Sequence, residues 1–154
     1  MEKIILGIDP DSTKNGVSEW QDSTMANLYS LNTMGLHDLI LEIQGKCAEV
    51  EIHIEDVCAQ NAAFVKSGVK NAKAGTAINR SIGKCQQAQI EVERLAEYHG
   101  IKVVKHKISK MWKCQNGKSQ FEKVTGWKGR SNEDNRSAAY FGWLGVNSGK
   151  YVLS

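Results

Sequence analysis

The sequence predicts an α/β layer fold on a mixed five-stranded sheet flanked by helices. Two observations carry this. Short apolar or alternating runs fill residues 3–32, and beyond them helical periodicity alternates with short strands. Strands first, then a helix–strand–helix order, suit a sheet that opens as an antiparallel meander and grows by parallel strands. A length of 154 residues fits one domain, 1–154, with a single real core.

Each element follows from its own stretch. Lys3-Ile4-Ile5-Leu6 is rich in β-branched residues and too short for a helix, so residues 3–8 read as a buried strand ending at Asp9. Asp11-Ser12 and Asn15-Gly16 turn the chain back, and strands over about 14–20 and 25–32 complete the meander. Leu36, Leu39, Ile40 and Ile43 have helical spacing, which predicts a helix over about 36–47 ending near Gly45. Residues 50–55 alternate apolar with polar, a fourth strand whose last residue, Glu55, is an acid. Ile78, Ile82, Cys85, Ala88, Val92, Leu95 and Ala96 keep steps of three and four, marking a long helix up to Gly100. Residues 101–104 read as a fifth strand, followed by helices around 119–125 and 132–144.

Composition excludes several classes. No run approaches a membrane span, and the N-terminus lacks a basic region followed by an apolar stretch, so a soluble, cytoplasmic protein with no membrane partner is expected. Cys47, Cys58, Cys85 and Cys114 form no C-x-x-C pair. A zinc site therefore has little support, and reduced, mostly buried thiols are expected.

The net charge of +3 conceals a segregation. Residues 1–101 carry 9 Lys+Arg against 14 Asp+Glu, and residues 102–136 carry 10 against 3. A basic segment next to an acidic body suggests a polyanion-binding surface beside an acidic centre, although such a run can also be a solvated face. Trp112, Phe121 and Trp127 interleave with the lysines, and could stack on unpaired bases or serve the core.

Three acids fall at element ends: Asp9, Glu55 and the pair Glu133-Asp134. If the fourth strand lies beside the first, Asp9 and Glu55 emerge together, and two such carboxylates repel unless a cation separates them. Oxygen donors favour a hard ion, Mg²⁺ or Mn²⁺, and a pair of these polarises a phosphodiester and activates water. Each acid also has a plain structural use. Glu55 can be a solvated strand end, and Asp134, three after Ser131, has capping-box spacing at a helix start.

Gly7-Ile8-Asp9-Pro10 with Gly16 resembles the first motif of RuvC-like Holliday junction resolvases. Ile54-Glu55-Asp56-Val57 followed by Asn61 resembles their second, and residues 75–100 the long helix after it. Gly117-Lys118-Ser119-Gln120-Phe121 is similar to the segment before their last helix. Asn132-Glu133-Asp134-Asn135-Arg136-Ser137-Ala138-Ala139 is similar to the terminal acidic helix in its bacteriophage form. The resemblance spans nearly the whole chain in order. It implies an RNase H-like fold, a homodimer and cleavage of branched DNA, four-way junctions above all, with Mg²⁺ (or Mn²⁺ in its place), two ions per site. By position, Asp9, Glu55 and Asp134 would be catalytic metal ligands, with Glu133 a candidate fourth, and Lys118 would contact phosphate near the cut. DNA contacts are expected from Phe64, Lys66, Lys70 and Lys73 in the loop after the fourth strand, and from Lys107, Lys110, Lys113, Lys118, Lys128 and Arg130.

Two departures stand out. Asp11 replaces the family's usual glycine, and Ser137 stands where many members carry a second aspartate, on the same helix face as Asp134. Either Glu133 substitutes, or three acids suffice, or metal affinity is reduced. The rival readings are a relaxed flap or fork nuclease, a junction-binding protein without hydrolysis, and a kinase-like phosphate hairpin, for which a second lobe is missing.

Overall fold

The computed structural model describes residues 2–59 and 72–148, apart from the side chains of 72–78. Its elements are β1 (Lys3–Asp9), β2 (Asn15–Gln21), β3 (Thr24–Leu31), α1 (Thr33–Gly45), β4 (Glu49–Glu55), α2 (Ala72–Tyr98), β5 (Lys102–His106), α3 (Gln115–Thr125) and α4 (Glu133–Asn147), with a 3₁₀ turn at Val57–Ala59. The sheet order is β3-β2-β1-β4-β5. The first three strands pair antiparallel, and β4 and β5 add in parallel, so the predicted mixed sheet is present.

The two faces of the sheet have different cores. Ile4, Leu6 and Ile8 of β1 and Val50, Ile52 and Ile54 of β4 meet Leu36, Leu39, Ile40 and Ile43 of α1 and Val92 and Ala96 of α2. On the other face Ile5, Trp20 and Met25 meet Trp112, Phe121 and Ala139, with Tyr140 and Trp143 packed against them. Fully burying a side chain of this size is worth about 1.5–3 kcal/mol, so each face holds its own helices.

α4 lies close on β1 because glycine permits it. A Cβ on Gly7 would overlap the Ala138 carbonyl and the Gly142 amide. The Ser18 hydroxyl donates to the Ala138 carbonyl at 2.8 Å and accepts from the Trp20 indole at 3.1 Å. These contacts seat the start of α4 at the C-terminal end of β1.

Element ends differ from the sequence reading where side chains rather than periodicity decide. α1 starts at Thr33 because Asn32 accepts from the Gly35 amide at 2.8 Å, an N-cap that periodicity does not register. α3 starts at Gln115, since Gly117 is the residue small enough to pass Trp112: a Cβ there would lie 2.6 Å from the Trp112 Cα. The capping box of α4 uses Asn132 and Asn135, not Ser131 and Asp134, which leaves Asp134 free of that duty. The thiols are also not mostly buried. Cys47, Cys58 and Cys114 are exposed at element ends, Cys85 is intermediate on α2 within the field of Asp9, Asp11 and Asp134, and all four are free.

Candidate active site

Asp9 and Glu55 owe their proximity to register. Ile8 of β1 pairs with Ile54 of β4 in a parallel ladder, so the next residue of each strand leaves the sheet side by side. Both are buried, Asp9 at 3% and Glu55 at 4% exposure. The turn after β1 is fixed by Asn15, whose carbonyl oxygen accepts from the Asp11 amide at 3.1 Å and whose amide donates to the Leu31 carbonyl at 3.2 Å. Gly16 then lets the first turn of α4 approach, since a Cβ there would strike the Asp134 carbonyl. Three elements thereby bring the three predicted carboxylates to one end of the sheet.

Lys113 stands among them. Its Nζ lies 3.3 Å from Asp9 Oδ2 and 3.8 Å from Asp134 Oδ1. The sequence places this lysine with the phosphate contacts; in the fold it is the ion-pair partner of two of the acids. The Ser109 amide donates to Glu55 Oε2 at 3.4 Å, a long bond. Ser137, one turn along α4 from Asp134, is fully buried. Its hydroxyl acts on Asp9 in the direction that favours the carboxylate, yet neither Ser137 Oγ nor Asp9 Oδ2 completes a well-formed hydrogen bond.

The electrostatics follow from burial and like charge. Burial first, then the neighbouring Asp9, push Glu55 up to about 7. Burial and Asp9 push Asp134 up to about 6, with Asp11 adding to the rise by charge and by hydrogen bonding. Burial also raises Asp9, against the pull of Lys113. Burial works against the Lys113 ammonium, but Asp9, Glu55 and Asp134 outweigh it and hold the group charged. Asp11 is thus a fourth acid in the field of the site, while its own Oδ1 accepts from the Thr13 amide at 3.0 Å.

A cleft of about 510 Å³ opens on this cluster, lined by Glu55, Ser109, Lys110, Lys113, Cys114 and Glu133 among others. A second cleft of about 390 Å³, with Asp56, Lys105, His106 and Lys107, shares Ile108 with the first. Lys107, Lys110, Lys128 and Arg130 are exposed and Lys118 half-buried, none of them in an ion pair among the described residues. Phe64, Lys66 and Lys70 lie outside the described residues, and Lys73 is on the first turn of α2. Trp112 and Phe121 are core, 2% and 0% exposed, so they are not free to stack on bases; Trp127 is half-buried against the same cluster. Asp56 turns to the α2 side, where it accepts from Gln89 Nε2 at 3.0 Å.

The donor set suits a hard cation: every carboxylate and hydroxyl facing the centre offers oxygen, and two buried oxygens, Asp9 Oδ2 and Ser137 Oγ, have hydrogen-bonding capacity to spare. As they stand, no three His, Cys, Asp or Glu side chains among the described residues converge closely enough to hold one ion. Lys113 supplies the positive charge at that point. Sequence reading missed this role for Lys113 and missed Arg136 altogether. The signal for Arg136 was a lone guanidinium beside Ser137-Ala138-Ala139, a stretch small enough to pack against the sheet.

No family model matches the chain, and no curated protein does. Solved structures do. Thermus thermophilus RuvC in complex with a Holliday junction substrate superposes with a TM-score of 0.60 at 12% identity, over 97% of this chain and 96% of that one. A further Thermus thermophilus RuvC structure gives 0.56 at 14% identity, over 96% of each chain. At these identities the likeness establishes the fold, the RNase H-like arrangement of RuvC. No helix among the described residues is long and apolar enough to cross a membrane.

Proposed function

We propose that this chain is a metal-dependent, structure-selective endodeoxyribonuclease that resolves four-way DNA junctions by paired phosphodiester hydrolysis, in the cytoplasm of a bacterial cell. The observation that supports this most is the meeting of Asp9, Glu55 and Asp134 from β1, β4 and α4 on a RuvC-like fold. The neighbour's Holliday junction gives the reading its substrate class. The form of residues 132–139 is the ground for a bacteriophage-type member.

Asp9, Glu55 and Asp134 would hold Mg²⁺ or Mn²⁺, with Glu133 at the mouth of the cleft and Ser137 behind Asp9 as the candidates for completing the set. Such ions supply neutralisation of phosphate charge and water acidic enough to attack at neutral pH. The residues of the chain do the rest. Lys113 keeps the carboxylates compatible with one another when no ion is bound, and its ammonium can transfer to the scissile phosphate once the acids are otherwise neutralised. Lys110, Lys118, Lys128 and Arg130 position the backbone without reading sequence. A homodimer suits the chemistry, because a two-fold axis presents two sites to two symmetric strands.

The deciding experiment compares a mobile four-way junction with a linear duplex, in Mg²⁺, in Mn²⁺ and in chelator, for the wild type and Asp9→Asn. Paired symmetric nicks in the junction alone are expected, with the variant slower by about a thousandfold or more and still binding. Equal cutting of flaps and forks would make it a general branch nuclease. Binding without cleavage under every metal would leave a junction-binding protein.

A further inference from the structure

Arg136 lies two residues beyond Asp134 on α4, buried at 4% exposure, and no carboxylate pairs with it among the described residues. A buried guanidinium without an anion is costly unless its donors are used. Here they are spent on two backbone carbonyls and one hydroxyl. Nε donates to the Trp112 carbonyl at 2.9 Å, one terminal nitrogen to the Lys113 carbonyl at 2.7 Å, and the other to Ser131 Oγ at 3.1 Å. The fork therefore grips two consecutive carbonyls of the segment that leads into Lys113.

That segment needs gripping. Trp112 has φ +65°, a left-handed conformation that a bulky residue rarely adopts and that persists only when the surroundings enforce it. Its ring is held by Phe121, Tyr140 and Trp143, and Gly117 brings α3 against its backbone. The left-handed step turns the chain so that Lys113, the next residue, reaches Asp9 and Asp134. A lysine side chain has several free rotors, and a backbone fixed at its root reduces what must be ordered.

We infer that Arg136 is a positioning residue: it clamps the Trp112 and Lys113 carbonyls so that the Lys113 ammonium stands on the Asp9–Asp134 pair. The helix that presents Asp134 thereby also sets the place of the cation opposing it, and acid and lysine move as one unit. The inference rests on the nuclease reading for its use, and not for its geometry.

The test is a double-mutant cycle on the full chain with Arg136→Lys, Lys113→Met and the pair combined. Two quantities are measured: the Kd for Mn²⁺ alone, from the free ion's electron paramagnetic resonance signal, and the single-turnover cleavage rate of a four-way junction. Each single variant is expected to bind Mn²⁺ about three- to tenfold more tightly, because the ammonium no longer opposes the ion. The combined variant is expected to match Lys113→Met, since the two residues act through one another. Cleavage is expected to fall about 10- to 100-fold in each, again without adding. An Arg136→Lys effect that adds in full on the Lys113→Met background, or no change in Mn²⁺ affinity, overturns the inference, as does failure of Mn²⁺ to bind all four proteins. Where Arg136→Lys does not fold, Ser131→Ala takes its place and should shift Mn²⁺ affinity about twofold in the same direction; no shift there overturns it too. Coupled Mn²⁺ binding without DNA cleavage by any variant, wild type included, sinks the nuclease reading and leaves the positioning role standing.

Discussion

Glu55 sits buried at the end of β4 with Asp9 beside it, and both burial and that neighbour oppose its ionisation, to a value of about 7 against an ordinary 4.5. Asp134, more exposed, follows the same direction to about 6. A carboxyl raised in the folded state binds its proton more tightly there than in the unfolded chain, so stability falls as pH rises from the unfolded value to the folded one. The window is thus about pH 4.5 to 7, and above it the cost is fully present. For Glu55 that cost is on the order of 3 kcal/mol; Asp134 adds less, because solvent screens it. Lys113 stays charged across the window and offsets part of the penalty. In chelator at pH 8, Glu55→Gln should therefore be more stable than the wild type, and the difference should vanish near pH 4.5. Urea denaturation at both pH values checks this, and Mg²⁺ should rescue the wild type at pH 8 alone. Equal stability of the two proteins at pH 8 would mean that the carboxylates are not strained by one another.

At the scale of elements, the seat of α4 on β1 decides whether Asp134 reaches the site. Gly7 faces backbone, the Ala138 carbonyl and the Gly142 amide, which cannot rotate aside as a side chain could. Gly7→Ala should cost about 3 kcal/mol or more, seen as a lower urea midpoint with little change in slope. Gly83, in mid-helix with nothing within 4 Å of a Cβ, should by contrast gain about 1 kcal/mol as alanine. A loss at Gly83 as large as at Gly7 would show that close approach to backbone is not what sets the cost at Gly7, since helix propensity alone favours alanine at Gly83. This contrast also explains what was legible in the sequence. Period-two and period-3.6 patterns expose β1, β4, α1 and α2, because burial on one face imposes them. The acids at strand ends were legible for the same reason, since a strand's last residue and its register place a carboxylate. Cap chemistry at Asn32 and Asn132 was not, being a choice among neighbouring polar residues. Nor was the route from Arg136 to Lys113, which spans 23 residues and depends on one left-handed tryptophan.

Over the whole molecule, charge is divided between an acidic site and exposed basic residues, and under the proposed function DNA would have to satisfy both. In that reading the buried acids would repel phosphate until a cation neutralises them, while Lys107, Lys110, Lys128 and Arg130, exposed and in no ion pair among the described residues, would replace condensed counterions. The two halves predict opposite responses to added salt and to added divalent ion. With about six phosphates neutralised, junction affinity should fall roughly a thousandfold between 50 and 200 mM monovalent salt. Lys128→Ala should flatten the log–log slope by about one and weaken all junction sequences alike. At constant ionic strength, Ca²⁺, which fills oxygen sites, should instead raise affinity, and Asp9→Asn should mimic that gain without any ion. Fluorescence anisotropy across the salt series, for the wild type and these two variants, measures all three. A flat salt dependence would remove the exposed basic residues from the account. Loss of binding in Asp9→Asn would show that the acids hold DNA rather than repel it, contrary to a site in which Lys113 offsets the carboxylates.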